Sequence, residues 1–123
     1  MSDHDWYVAS IDEVQRSADD LKAAIDRTVD ALVEARASRL AGVGLVDIVC
    51  RLVAAGGRET RLGPTRAFKA WEAAITEYRA YAVRALVEED HMTYTQIGEL
   101  IGVSRQMVAR LYQSATVESD RLT

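Results

Sequence analysis

"TYTQIGELIGVSRQMVARLY", residues 93–112, is the stretch whose reading decides the fold. Two glycines, Gly98 and Gly102, punctuate an otherwise helix-favouring run. Ile97 and Ile101 lie one helical turn apart, and Val108 and Leu111 stand three apart further on, so each half has an apolar face to bury. Two short helices can cross closely only where the residue at the contact is small, which Gly98 satisfies. A tight turn between them needs a residue that accepts positive φ, which Gly102 satisfies. Val103 supplies an apolar plug for the turn, and Ser104 is a favoured N-cap for the helix that follows. The stretch is therefore expected to fold as two helices joined by a tight turn.

The rest of the chain is also expected to be helical. A single proline, abundant Ala, Leu, Arg and Glu, and little period-two alternation predict an all-α fold. "SIDE" at 10–13 offers a capping box, with Ser10 as cap and Glu13 reaching back. Beyond it Ile11, Val14, Ala18, Leu21, Ile25, Thr28 or Val29, and Leu32 recur at steps of three and four, a heptad seam. That helix should run to about Leu40 and stop at the glycines of "AGVG", Gly42 and Gly44. A short, strongly apolar helix over about 45–55 wants cover on several sides. "AGGRETRLGPTR" reads as a loop, and Pro64 suits the first turn of a third helix ending near Glu89. Its seam comprises Phe68, Trp71, Ile75, Tyr78, Ala82, Ala85 and Leu86.

The expected organisation is a flexible lead over 1–9, a helical scaffold and dimerisation region over 10–55, and an Arg/Gly loop over 56–64. A helix-turn-helix unit over 65–116 and a tail over 117–123 complete it. The seam of the first helix serves equally for packing within one chain or against a second copy, since both geometries need the same spacing.

At 123 residues the chain is the size of one domain. Its net charge of −4 is unevenly spread, with −6 over residues 1–34 but +5 over 35–70 and +1 over 93–115. The acidic total therefore does not exclude a nucleic-acid partner. Cys50 is the only cysteine and lies in an apolar run, which favours a small core residue. His4 and His91 are far apart, so no metal or cofactor site is indicated. No run approaches the ~20 apolar residues of a membrane span, and a soluble, cytoplasmic protein with no membrane association is expected. No nucleophile–base pair and no phosphate-cradling glycine loop is visible, which argues against an enzyme.

Residues 94–113 resemble the helix-turn-helix motif of DNA-binding proteins, in particular that of bacterial repressors, resolvases and sigma-factor region 4. Ile97, Gly98, Ile101, Gly102, Val103, Val108 and Leu111 carry the motif. Alanine is commoner in that family where this chain has Gly98, a choice that costs about 1 kcal/mol of helix propensity without harming the crossing. Residues 1–64 resemble no family.

The resemblance implies that 104–113 form a recognition helix for the major groove of double-stranded DNA. Ser104 and the free N–H groups at the helix start would hold a phosphate. Arg105 and Gln106 would meet base edges, guanine and adenine respectively. Met107 would touch a thymine methyl, Ala109 would permit close approach, and Arg110 follows one turn on. Tyr94, Thr95 and Gln96 would make phosphate contacts that set register. Arg58, Arg61 and Arg66 are candidates for further phosphate contacts. Leu100 is expected to pack on another helix, and Trp71, Tyr78 and Tyr81 to lie in the core.

The function expected from these residues is that of a sequence-specific transcriptional regulator, a repressor by default, bacterial or phage in origin and nucleoid-associated. It would act as a homodimer on a palindromic operator. Two alternatives stay open. One is a non-regulatory DNA-binding module for plasmid partition, phage functions or recombination. The other is an antitoxin-like protein-interaction domain that engages a partner through the N-terminal helix.

Overall fold

The structure, a computed structural model, describes residues 5–54 and 57–122, with side chains described for 6–54 and 63–116. It is all-helical over these residues. In chain order the helices are α1 (Asp5–Leu40), α2 (Leu45–Ala54), α3 (Gly57–Glu88), α4 (Tyr94–Ile101) and α5 (Arg105–Leu122). Two compact units emerge, one of Met1–Gln15 with Glu72–Thr123 and one of Arg16–Trp71.

Three boundaries differ from expectation. The helix expected at Ser10 already begins at Asp5, because Trp6 and Tyr7 are anchored. The Trp6 ring lies 5.2 Å from that of Tyr81, and the Tyr7 hydroxyl is 3.2 Å from that of Tyr78. Ser10 is no cap. It is buried mid-helix, and its hydroxyl donates to the Tyr7 carbonyl at 2.6 Å. The loop expected over 56–64 is helical from Gly57, so Pro64 lies within α3 rather than at its start. Proline there has no N–H to offer the Thr60 carbonyl, which weakens the helix locally. Finally, α5 continues through the expected tail to Leu122.

In the unit Arg16–Trp71, α1 ends as its glycines demand. Gly42 adopts φ 92, Gly42 N–H donates to the Arg39 carbonyl and Val43 N–H to that of Ser38, the paired bonds of a Schellman cap. The chain then turns into α2, whose Ile48 is buried and Leu52 half-buried. Between α1 and α2 lies a cavity of about 300 Å³, lined by Ala31, Glu34, Ala35, Ser38, Ile48, Arg51 and Leu52. Cover on several sides does not materialise for α2. Leu45, Val46, Val49 and Val53 are exposed, as is Cys50, which is therefore not the core residue expected.

The stripe that α1 buries shares Val14, Leu21 and Thr28 with the expected seam, and Ala18 is half-buried as well, but Ser10, Ala24 and Ala31 take the places expected of Ile11, Ile25 and Leu32. Ser10, Val14, Ser17, Leu21, Ala24, Thr28, Ala31, Ala35 and Ser38 are buried or half-buried, at alternating steps of four and three. Small residues dominate it, which allows close helix approach. Ile11, Ile25, Val29 and Leu32, one helical row away, are exposed.

In the unit formed by the two chain ends, two clusters share Leu111. Val83, Ile97 and Val108 are fully buried, with Leu86, Val87, Met92, Tyr94, Leu111 and Tyr112 around them. Ala80, Tyr81 and Ala115 form the other, flanked by Trp6, Tyr7 and Leu111. Ala115, near the expected end of α5, is buried in this second cluster. Phe68, expected in the seam of α3, is exposed.

Candidate nucleic-acid interface

The α4–turn–α5 segment is assembled by local chemistry. Thr93 is the N-cap of α4 at φ −79, ψ 160. Gln96 N–H donates to its hydroxyl at 3.1 Å, and Thr93 N–H donates to Gln96 Oε1 at 2.9 Å. This reciprocal capping box was legible as T-x-x-Q in the sequence. It gives Gln96 a structural task that the expected phosphate contact did not include, with its Oε1 already occupied. At the other end Gly102 is left-handed at φ 76, and the Gly98 carbonyl accepts from both Gly102 N–H at 2.9 Å and Val103 N–H at 3.0 Å.

Gly98 is the tightest point. A Cβ built on it would stand 2.6 Å from the Val103 carbonyl oxygen, a backbone atom. Real Cβ atoms essentially never come under 3.0 Å. An alanine methyl at this position would press on backbone that must shift to admit it, whereas Gly98 leaves the close crossing undisturbed.

Ser104 caps α5 as expected, its Oγ accepting from Met107 N–H at 3.1 Å while its carbonyl accepts from Val108 N–H. The Arg105 and Gln106 N–H groups, ahead of the first intrahelical bond, point out of the helix start. With Val108 fully buried, the residues on the far side of α5 face outward. Gln106, Arg110 and Gln113 occupy that side at i, i+4 and i+7, and all are exposed, as are Arg105 and Ser104. Ala109 is half-buried and Met107 partly exposed. Gln113 is not among the expected contact residues, although its spacing from Gln106 places it on the same face. No acidic residue lies between Ser104 and Thr116.

The inner face of α5 is held by a polar relay. The Tyr112 hydroxyl donates to Glu88 Oε1 at 3.2 Å, and Arg84 Nε lies 3.2 Å from both Glu88 oxygens. Arg84 in turn stacks over the Trp6 ring, 4.8 Å from its centroid. Partial burial, and then the bond to Glu88, push the Tyr112 phenol above the ordinary tyrosine value. Tyr94, expected as a phosphate contact, is half-buried with its ring 6.0 Å from that of Tyr112. Thr95 is exposed.

Not every motif residue is enclosed. Ile101 is 44% and Val103 38% exposed, and both line an open groove of about 560 Å³ with Met107, Leu111 and the α3 residues Tyr78, Ala82 and Leu86. Leu100, expected to pack on another helix, is 64% exposed. Arg66 is exposed on α3 in the other compact unit, and the side chains of Arg58 and Arg61 lie outside the described residues. Among the described residues no three His, Cys, Asp or Glu side chains gather as a metal site, and no helix is long and apolar enough to cross a membrane. No family model, no curated protein and no solved structure matches the chain.

Proposed function

We propose that the chain is a sequence-specific DNA-binding regulator, acting by occupancy of its site and most simply as a repressor, as a homodimer on a palindromic operator. One observation carries it: a capped helix, pinned from behind by Val108, Leu111 and Tyr112, presents an outward face of Arg105, Gln106 and Arg110 with no acidic side chain among them. Burial of the inner face fixes the helix's rotation, so Gln106 and Arg110 stand on its solvent side. Arg105 donates two parallel hydrogen bonds to guanine, and Gln106 pairs one donor and one acceptor with adenine. The free N–H groups at the start of α5 take a backbone phosphate, and Arg110 adds a cation one turn on. Gln113 extends the same face by a further turn.

A single helix of this kind reads only a few base pairs, so useful discrimination needs two copies on a two-fold symmetric site. Phosphate contacts make affinity fall steeply with salt.

The test is selection of bound duplexes from a random pool, followed by binding measurements with Arg105→Ala and Gln106→Ala. A palindromic consensus is expected. Each variant should lose preference for it while keeping its helical circular dichroism and oligomeric state. Variants that bind the selected site as well as the parent protein would overturn the assignment, as would a pool that yields no enriched sequence.

A further inference from the structure

In the unit formed by the two chain ends, the lysines and arginines with described side chains are Arg79, Arg84, Arg105 and Arg110. Arg84 is engaged with Glu88 and the Trp6 ring, and Arg105 and Arg110 belong to α5. Arg79 is left over. It is exposed on α3 and makes no ion pair with a described residue. An intrahelical pair would need an acid three or four positions away, and those positions hold Ile75, Thr76, Ala82 and Val83. Glu72, the nearest acid on the same face of α3, stands about two turns back.

Its place on α3 singles it out. Arg79, Val83 and Leu86 recur at i, i+4 and i+7, so they share one row of the helix. Val83 is fully buried with Ile97 and Val108, and Leu86 packs against them. The row that meets α4 and α5 thus continues, one turn back, as an exposed arginine. There Arg79 lines the open groove that Val103, Met107 and Leu111 also line, beside the start of α5.

The dimensions of DNA give this position a partner. The major groove is about 12 Å wide, and a helix with its side chains is about 10–12 Å across. Once α5 is seated, the phosphate ridges run along its two flanks. Met107 follows Gln106 by about 100° round the helix, which puts it on one flank, and Arg79 stands on that side.

We propose that Arg79 is a phosphate contact of the DNA-binding face, one that sets the register of α5 without reading a base. It rests on the DNA-binding reading and extends the site from α5 to α3. Phosphate contacts fix register and orientation and carry no sequence information directly. The residues expected to do this from α4, Tyr94, Thr95 and Gln96, are all uncharged. Gln96 is committed to its capping box, and the Tyr94 ring packs by that of Tyr112. Arg79 supplies the full positive charge that they lack.

The test measures binding of the full chain to the selected duplex and to an unrelated duplex of equal length, for the parent, Arg79→Ala and Arg79→Lys. Arg79→Ala should weaken both duplexes by the same factor, with helical circular dichroism unchanged. It should also lower the slope of log affinity against log salt by about 0.9 for each copy bound. Between about 50 and about 200 mM salt, the parent's advantage over it should therefore shrink about 3.5-fold per copy. Arg79→Lys should restore the parent's slope, because the charge is what releases the counterion. An Arg79→Ala slope equal to the parent's would overturn the contact alone and leave the DNA-binding assignment standing. So would a loss confined to the selected duplex, or a lysine variant that behaves like the alanine one. A parent chain that binds neither duplex at about 50 mM salt would overturn the assignment and the contact with it.

Discussion

Replacing Gly98 with alanine adds one methyl group where α4 meets its turn, and two opposed effects set the outcome. Alanine is about 1 kcal/mol better than glycine inside a helix. Against that, the new Cβ would stand 2.6 Å from the Val103 carbonyl oxygen, whereas ordinary contact begins at 3.4 Å. The obstacle cannot rotate away as a side chain would. Val103 N–H is tied to the Gly98 carbonyl at 3.0 Å, and the next residue, Ser104, is committed to capping α5 through Met107 N–H. Relief therefore requires the whole turn to move, and overpacking of this kind costs about 1–3 kcal/mol. With the obstacle in the backbone, the upper part of that range applies, leaving a net loss of about 1–2 kcal/mol after the propensity gain. For a chain of this length each kcal/mol lowers Tm by about 4 °C, so a drop of about 4–8 °C is expected. Thermal and urea unfolding followed by far-ultraviolet circular dichroism measures it. An alanine variant as stable as the parent, or more so, would show that the turn is looser than the Gly98–Val103 contact implies, and the reasoning would fail.

His91 holds φ 55 after α3, so His91→Gly should stabilise the protein by about 0.5–1 kcal/mol in urea melts, the left-handed strain outweighing the glycine's greater unfolded freedom. Ile97→Ala should cost about 2–5 kcal/mol because the side chain is fully buried, while Leu100→Ala, mostly exposed three residues on, should cost under about 0.5 kcal/mol. The Tyr112 phenol is held above its ordinary value of 10.0, so its contribution to stability is fully present below pH 10 and is lost as pH rises through the raised value. Tyr112→Phe should remove that part of the alkaline destabilisation, read from unfolding midpoints against pH, with phenolate absorbance following the titration itself.

Much of the candidate interface is legible in the order of residues. The turn at Gly102 and the Ser104 cap are governed by residues within a few positions of one another, and the spacing of Ile97 and Val108 marks the faces that α3 then covers. Their hydrogen bonds and spacings are local, so pattern and backbone chemistry suffice to place them. The capping box of Thr93 and Gln96 and the outward position of Gln113 belong to the same class and were present in the pattern. Gly98 marks the limit of that kind of inference. Smallness at a crossing is readable, but whether a methyl fits depends on where the Val103 carbonyl comes to rest.

The helical class of the fold, the positions of most helix ends and the polar character of the outward α5 face were settled by the order of residues alone, because each depends on near neighbours. Which row completes the buried stripe of α1 beside Val14, Leu21 and Thr28 was not. Ser10, Ser17, Ala24 and Ala31 lie one helical row from Ile11, Ile25 and Leu32, and both rows repeat in heptads. Period cannot choose between them, and ranking by hydrophobicity chooses the aliphatic row. The tertiary structure buries the small row, since small side chains let helices approach closely, and leaves the aliphatic row and the outer face of α2 exposed. The start of α1 at Asp5 was decided in the same way, by aromatic partners more than seventy residues distant in the chain. Such choices rest on long-range contacts, which the periodicity of a single helix does not encode.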